Sequence, residues 1–528
     1  MFRAQSKIAQ SSLWVLALMV IVGAYPGGIG EAQEGPNLLP PLVLGDPGQK
    51  LVLPPGWHRE DRQIPGVEAS KIYISRDPGH SGELLAVVGG PDRGGCVWCQ
   101  VSGIRPQTDY TLKFLAFRPK FTNGVYFEVE IFGQRHLINQ HFSYGKVQPI
   151  ILRVNSREVR GSTRLVIENP HQEILAFGAP SLRIGPVQKT QRQSESIWLP
   201  AFFPVGIYGA GPDDLPAIRA AGFNAIQSYD SRPGIITRLA ALSANQGLKY
   251  LANMQHYQEG LSEKLGGQPE LLGFYIEDEP EGRSVPPVKP AELGAALKKD
   301  HPGVLTALAM LRPQMVTDYR DAADIFMIDP YPVPDMPMTW LSDCIEEAGR
   351  SVSKERLWAV IQAFGGDKWA QDGWPRRPLK VEMRCLSYLA VVHGARGIFY
   401  FSYPEVSSDP AAWQDLQGVV RELQDLQPWL VLPNLTSRLR LEMTSPFKVD
   451  ATGRPAVHFC EKQQGHDHLL VLVNVINHPV SFYLQGFSKQ IGWVEEKFLH
   501  QKSVVRDGNI REELGPYEVR IYKFALPG

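Results

Sequence analysis

The chain has 528 residues, a formal net charge of -1 and 11 tryptophans. This length allows about three domains of ordinary size. A near-neutral charge without a polycationic stretch argues against nucleic acid and anionic membranes as partners.

The N-terminal segment, residues 1–32, has the pattern of a signal peptide. Arg3 and Lys7 precede a short apolar run at 13–22, and small residues near 22–24 and 30–32 offer cleavage sites. The run is too short for a comfortable membrane span, and no Cys directly follows it to carry a lipid. We therefore expect a secreted or periplasmic protein that is not stably inserted in a membrane after the signal is removed. An uncleaved membrane anchor is the alternative.

Residues 37–187 alternate apolar and polar side chains between clusters of turn residues, and this pattern indicates β-strands. The predicted strands lie at 84–90, 110–119, 125–133, 149–155, 164–170 and 181–184. They predict a β-sandwich of the jelly-roll kind. In pattern, this region resembles the carbohydrate-binding modules that precede many secreted glycoside hydrolases. A sandwich that only packs on the next domain is the competing interpretation.

Cys96 and Cys99 form a CxxC in this region, and no second pair completes a zinc site. A local disulfide and two reduced structural thiols remain open as interpretations.

From 196 to 430, apolar runs alternate with amphipathic segments, which is typical of βα units and a parallel sheet. The predicted strands are 203–208, 225–229, 250–254, 272–276, 305–310, 325–328, 357–361 and 397–401, and helix candidates include 213–222, 235–247, 290–300, 338–350 and 379–394. Eight such units predict a (β/α)8 TIM barrel within an α/β fold class. A doubly wound sheet is the alternative, but no glycine-rich phosphate loop follows any of these strands.

Residues 435–528 again contain alternating or wholly apolar segments typical of β-strands. They predict a C-terminal β-sandwich with a structural role. The barrel would thus be flanked by a sandwich on either side.

The predicted barrel strands end at polar or aromatic residues, and such residues would meet at the carboxyl-end mouth where barrel enzymes carry their sites. The most acidic ending is Glu277-Asp278-Glu279-Pro280. Mutual repulsion beside an apolar strand raises carboxyl pKa values towards general-acid duty. The expected catalytic group is Glu279, Asp278, Asp329 and Glu405, and the expected substrate-binding group is Tyr208, Tyr229, Asn253, His256, Glu277, Tyr331, Gln362, Trp369, Trp374 and Tyr403.

The barrel segment resembles glycoside hydrolase clan A, in particular its β-galactosidase and agarase-like branches. Asp278-Glu279-Pro280 is similar to the strand-four motif of that clan, which implies that Glu279 is the general acid/base and that Asp278 orients it or the substrate. Tyr331, in the DPYP segment, matches the strand-six region, where a tyrosine often contacts the nucleophile. The strand-eight segment GARGIFYFSYPE resembles the floor of the site.

The chain departs from that clan at the end of strand seven, where Gln362 stands in place of the nucleophilic glutamate. Either another carboxylate has taken over, or Gln362 positions a water or an acetamido group, or the barrel only binds glycan. Glu405, from the neighbouring eighth strand, is slightly favoured over Asp329 as the replacement. Its displaced position favours inversion, for which the carboxyls stand about 6.5–9.5 Å apart.

We therefore expect an exported glycoside hydrolase or transglycosidase that acts on a polysaccharide or oligosaccharide. The competing hypothesis is a catalytically silent glycan-binding protein. No cofactor and no metal are expected, because His256 has no second ligand at suitable spacing and is better explained as a wall of the pocket. The pattern specifies neither the sugar nor the oligomeric state.

Overall fold

The structure is a computed structural model of the chain. It describes residues 36–42, 53–61, 73–76, 85–88, 95–117, 127–138, 147–169, 175–184 and 202–526, with short gaps at 258–259, 266–267 and 269. The predicted signal segment and the polar linker at 188–199 lie outside the described residues. Among the described residues, no helix combines the length and apolarity needed to cross a membrane.

The N-terminal region consists of two antiparallel five-stranded sheets. Its strands are β1 Trp57–Asp61, β2 Tyr73–Arg76, β3 Leu85–Val88, β4 Gly95–Ile104, β5 Asp109–Phe117, β6 Phe127–Ile131, β7 Gln134–Ile138, β8 Gln148–Asn155, β9 Gly161–Asn169 and β10 Leu175–Ile184. The sheet orders are β1-β4-β9-β6-β7 and β2-β3-β10-β5-β8. In β5 every second residue is buried, so each sheet turns one face to a shared apolar core.

Strand β4 carries both cysteines of the CxxC, and no disulfide joins them. Residues three apart in a strand point to opposite faces of the sheet. Cys99 lies in the sandwich core with Val97 and Val101, whereas Cys96 points to the other face. Burial raises the pKa of the Cys99 thiol to about 12, which is the state of a structural rather than a reactive cysteine.

The central region is a closed barrel of eight parallel strands, as the sequence predicts. The barrel strands are β11 Val205–Ile207, β12 Ala225–Gln227, β13 Lys249–Asn253, β14 Leu271–Glu277, β15 Leu305–Met310, β16 Ile325–Ile328, β17 Leu357–Gln362 and β18 Ile398–Phe401. The α-helices are α1 Leu215–Ala220, α2 Pro233–Gln246, α3 Leu261–Leu265, α4 Val288–Asp300, α5 Val316–Tyr319, α6 Thr339–Ala348, α7 Lys380–Val392, α8 Tyr403–Ser407, α9 Pro410–Asp425 and α10 Gln427–Leu430, and short 3-10 turns occupy Pro313–Met315, Lys354–Arg356 and Asp367–Asp372.

Alternate residues of each barrel strand point inward, and this alternation decides which side chains reach the mouth. On β16, Ile325 and Met327 fill the barrel interior, while Phe326 and Ile328 pack outward against the helices. Continuing the alternation places Asp329 in the next inward layer, directly after the strand.

The C-terminal region comprises a five-stranded and a three-stranded sheet that pack face to face, which fits the predicted second sandwich. Its strands are β19 Arg440–Met443, β20 Val457–Gln464, β21 Asp467–Asn474, β22 Val480–Gln485, β23 Trp493–Glu496, β24 Lys502–Val504, β25 Asn509–Leu514 and β26 Val519–Ala525. The five-stranded sheet also lies against the barrel, because Val471 and Ile521 share one apolar cluster with the α7 residue Leu389.

Candidate active site

The acidic stretch after β14 lies at the mouth of the barrel, where the carboxyl ends of the strands converge. Glu279 is half-buried, and its backbone N–H donates to the carbonyl of Ala309 at the end of β15 (3.2 Å). Its φ of +41° lies in the left-handed region, which is uncommon for a residue with a side chain. Strain of this kind clusters at functional sites.

Glu279 and Asp329 form a pair of neighbouring carboxyl groups, close enough that each shifts the pKa of the other. Asp329 is buried, and burial together with the charge of Glu279 raises its pKa well above the ordinary value. Burial and the charge of Asp278 also raise the pKa of Glu279. Two carboxylates at such short range cannot both ionise cheaply, so the pair retains one proton. Oδ1 of Asp329 has no hydrogen-bond partner among the described residues.

Asp278 points to a different set of neighbours, the tyrosines of the barrel interior. Its carboxyl accepts hydrogen bonds from the hydroxyls of Tyr275 and Tyr229. Burial still raises the pKa of Asp278. The ring of Tyr208 stacks on that of Tyr229 at 5.6 Å, which fixes this side of the mouth. The arrangement suits Asp278 to orient groups at the site.

The third acid of the stretch, Glu277, turns away from the pair. It forms an ion pair with Arg283 and accepts a hydrogen bond from Gln255 Nε2 (3.2 Å). Asn253, a buried neighbour, donates through Nδ2 to the carbonyl of Tyr229 (3.0 Å). These two expected binding residues therefore hold loops in place, and His256 is an exposed residue of the loop after β13.

The opposite wall of the mouth is aromatic. The ring of Tyr331 meets Phe364 edge-on at 4.9 Å, and Phe364 also contacts Trp369 (4.7 Å) and Trp374 (5.2 Å). Trp374 Nε1 donates to the carbonyl of Tyr331 (3.1 Å). Aromatic rings with a polar edge suit a surface on which sugar rings stack. Phe401, at the end of β18, joins this wall.

Gln362 lies at the end of β17 and is fully buried. Its Oε1 accepts from the backbone N–H of Val333 (2.9 Å), and its Nε2 donates to the carbonyl of the same residue (2.9 Å). Both functional groups of the amide are thus occupied by the backbone of one residue. Among the three interpretations of this position, a water- or substrate-positioning amide receives no support from this geometry.

Glu405 belongs to α8 and has its own partners. It forms an ion pair with Lys368 and accepts from Trp369 Nε1 (3.0 Å). Burial alone would raise the pKa of Glu405, but these hydrogen bonds outweigh it and lower the pKa. Of the two candidate partners, Asp329 is the one whose carboxyl lies near Glu279. Tyr403, from the same helix, packs edge-on against Trp413 (5.3 Å).

The sequence reasoning missed a second acid–base cluster beneath the pair. Glu281 is buried, accepts from the backbone N–H of Arg312 (2.8 Å), and has a pKa that burial raises to about 7. Arg312 is buried beside it and follows β15, the strand to which the sequence assigned no polar ending. Glu281 lies only two residues after Glu279. The spacing of acidic residues along this stretch was therefore the signal from which the sequence could have indicated Glu281. The described residues contain no cluster of His, Cys, Asp or Glu arranged to hold a metal ion.

Comparisons with known proteins return matches at the level of fold. No family model and no curated relative matches the chain. Among solved structures, an Anoxybacillus α-amylase is 12% identical, with a TM-score of 0.42 over 60% of this chain and 90% of its own. A Bacteroides fragilis protein described as a putative α-galactosidase/melibiase is 12% identical, with a TM-score of 0.43 over 83% of this chain and 97% of its own. A Clostridium papyrosolvens GH30 endoxylanase is 9% identical, with a TM-score of 0.38 over 62% of this chain and 97% of its own.

All three structures carry glycoside hydrolase names, and the likeness is one of fold. Substrate and mechanism depend on the residues at the mouth of the barrel.

Proposed function

We propose that this protein is a glycoside hydrolase that cleaves a polysaccharide or oligosaccharide, with Glu279 as general acid/base and Asp329 as its carboxylate partner. The observation that carries the proposal is the Glu279–Asp329 pair, which shares a proton at the mouth of the barrel. Glycoside hydrolysis characteristically uses two carboxyl groups, one of which carries the proton that the leaving group takes. The aromatic wall around Phe364 supplies the stacking surface for the sugar.

In the proposed mechanism the shared proton is delivered by Glu279 to the glycosidic oxygen as the bond to the anomeric carbon breaks. Both carboxyls are then anionic, and the positive charge that develops at the anomeric carbon lies beside them. Glu279 subsequently takes a proton from the attacking water, which restores the pair. Such general acid–base catalysis contributes about 100- to 10,000-fold to the rate.

The expected stereochemical outcome of hydrolysis changes when Asp329 rather than Glu405 is the carboxylate partner of Glu279. Carboxyl groups that approach as closely as Glu279 and Asp329 leave no gap of about 6.5–9.5 Å for an intervening water, so the inverting geometry expected with Glu405 does not apply to this pair. Proton NMR of the first product anomer would assign the outcome directly.

The test is a panel of aryl glycosides and native polysaccharides assayed with the full chain and with Glu279→Gln. Hydrolysis by the unmodified chain that falls by about 100-fold or more in the variant supports the proposal. Glu405→Gln is the matched control, since its carboxylate is held by Lys368 and should leave most of the activity intact. Full activity of Glu279→Gln on an unactivated glycoside would overturn the assignment.

A catalytically silent glycan-binding protein is the second candidate. The observation that favours it is Gln362, which stands at the end of β17 with its amide bonded on both sides to Val333. Binding of a polysaccharide without any hydrolysis across the panel would favour this candidate. Export of the protein stays a prediction from the N-terminal segment, and detection of the mature chain outside the cytoplasm would test it.

A further inference from the structure

The five-stranded sheet of the C-terminal sandwich has one outer face that is only partly covered. At one end of this face, Leu469, Val471 and Ile521 are buried against the barrel. At the other end, the side chains that share the face remain accessible. Because the side chains of a strand alternate between faces, Lys523 and Ala525 of β26 continue the covered row of Ile521 into the open part.

A cavity of about 500 Å³ lies on this uncovered part. Its walls combine residues of β21, β23 and β26 with the turns before and after β23. The charged and aromatic residues of its lining include Asp467, Trp493, Glu495, Lys497 and Lys523. The volume falls within the range of small-molecule sites, about 300–1,000 Å³.

Trp493 is the aromatic element of the cavity. In β23, Val494 and Glu496 are buried on the core side, whereas Trp493 points outward and leaves 47% of its surface exposed. Exposing this much apolar indole surface to water is unfavourable, and a strand with a purely structural role does not need it. Lys502 Nζ lies over one face of the ring, 3.7 Å from the ring centroid, so the C–H groups of a pyranose would stack on the other face.

The polar elements of the cavity are paired charges. Lys523 Nζ lies 3.2 Å from Asp467 Oδ2, and both side chains are nearly half exposed. Glu495 is directly opposite Lys523 in the neighbouring strand and also opposite Lys502. Sugar hydroxyls both donate and accept hydrogen bonds, so an acceptor carboxylate beside a donor ammonium suits them. Because charges of both signs alternate, the cavity suits a neutral glycan better than a polyanion.

We propose that this cavity is a second glycan-binding site, in which Trp493 stacks on a sugar of a neutral oligosaccharide or polysaccharide chain and Asp467, Glu495 and Lys523 bind its hydroxyls. The choice of a glycan rests on the proposed function, whereas the site itself is separate from the barrel mouth. Its role would be to hold a polymeric substrate while the barrel acts on another part of the chain.

The test is affinity electrophoresis of the full chain through gels that contain starch, xylan, galactan or β-glucan. The background is Glu279→Gln, which prevents cleavage of the polymer. With at least one of these polymers, Trp493→Ala should lower the association constant by about tenfold or more, in line with the loss of a central aromatic contact. Tyr483→Ala is the matched control, because Tyr483 is an exposed aromatic residue of β22 in the other sheet of the same sandwich.

The outcomes separate this proposal from the proposed function. Retardation that is unchanged by Trp493→Ala, or absent for every polymer, overturns the second site, even where the unmodified chain hydrolyses a glycoside. Retardation that depends on Trp493 without any hydrolysis supports the site and counts against the enzyme. Asp467→Asn, a milder change than removal of the indole, should weaken retardation as well, and a thermal midpoint equal to that of the parent would show that the fold is intact.

Discussion

Gln362 and Val333 are joined by two hydrogen bonds of 2.9 Å, one to each end of the Gln362 amide. An amide can satisfy a peptide N–H and a peptide C=O at the same time, whereas a carboxylate can only accept. The residue at the end of β17 is therefore matched to the loop that follows β16.

Substituting Gln362→Glu should not create an active nucleophile. The new carboxylate would face the carbonyl of Val333 with two acceptors in contact and would be fully buried. We expect the free energy of unfolding to fall by about 2–4 kcal/mol, without a gain in hydrolytic rate. Urea unfolding and the glycoside assay measure the two effects. A variant that is as stable as the parent and faster would contradict this account, and Gln362→Met controls for the loss of the hydrogen bonds alone.

The Glu279–Asp329 pair predicts a bell-shaped dependence of kcat/KM on pH. Activity needs one proton in the pair, so it falls at low pH, where both carboxyls are protonated, and at high pH, where both are ionised. Burial raises the pKa values of both groups; the charge of Asp278 raises that of Glu279 further, and the charge of Glu279 raises that of Asp329 further. The bell should therefore stand at higher pH than two ordinary carboxyls would give. In Asp329→Asn the pair is lost and a single ionisation should remain; a bell of unchanged width in that variant would exclude Asp329 from the pair.

His393 predicts a pH-dependent contribution to stability. The imidazole lies between the barrel and the C-terminal sandwich, bonded to Glu346 Oε1 (2.7 Å) and His458 Nδ1 (2.9 Å). Burial lowers its pKa from 6.5 to about 4. The unfolded chain then binds a proton that the native chain does not between these two values, so His393 contributes stability above pH 6.5 that is lost as the pH falls towards 4.

Asp343, in the same interface, acts in the opposite direction. Burial raises its pKa to about 7, against the attraction of Arg454, so its contribution is lost as the pH rises from 3.8 towards 7. The pH-dependent contributions of His393 and Asp343 to stability offset each other in the parent protein. The stability difference between the parent and His393→Gln isolates the imidazole and should grow by roughly 2–3 kcal/mol from pH 4 to pH 6.5. Chemical unfolding at both pH values measures it, and a difference that is constant with pH would refute the assignment.

Gly206 predicts a packing effect inside the barrel. A Cβ at this position would lie 2.3 Å from Cε1 of Phe399, a buried ring of the neighbouring strand β18. We expect Gly206→Ala to lower the free energy of unfolding by about 1–3 kcal/mol through overpacking. Gly234→Ala is the control, because nothing lies within 4 Å of its Cβ. Equal thermal midpoints for the two variants would mean that Phe399 can move aside.

The barrel strands were the most predictable part of the fold. The runs at 305–310 and 325–328 coincide with β15 and β16 because each is a continuous, wholly buried and largely apolar run. Strands β1, β2, β4, β7, β23, β24 and β25 were not predicted, since their mixed or charged residues lack a clear alternation. The structure also describes the small helices α3, α5, α8 and α10, which are too short to give a helical period.

The candidate site was predictable as a location but not as a set of contacts. The apolar runs placed Glu279 and Asp329 at the ends of the fourth and sixth barrel strands, yet their close approach depends on the shape of the loop that carries Glu279 at positive φ. Glu405 follows its strand just as closely, but Lys368 and Trp369 draw its side chain elsewhere. Tertiary contacts of this kind leave no local pattern in the sequence.

The apolar cluster shared by the barrel and the C-terminal sandwich has a consequence for how the chain can be divided. Arg384 of α7 donates to the carbonyl of Val519 (2.7 Å), and Leu389 belongs to the same cluster as Val471. A fragment that ends before residue 435 would present this side of α7 to water and should aggregate or require detergent. Scanning calorimetry of the intact chain should accordingly show the two regions melting in one cooperative transition.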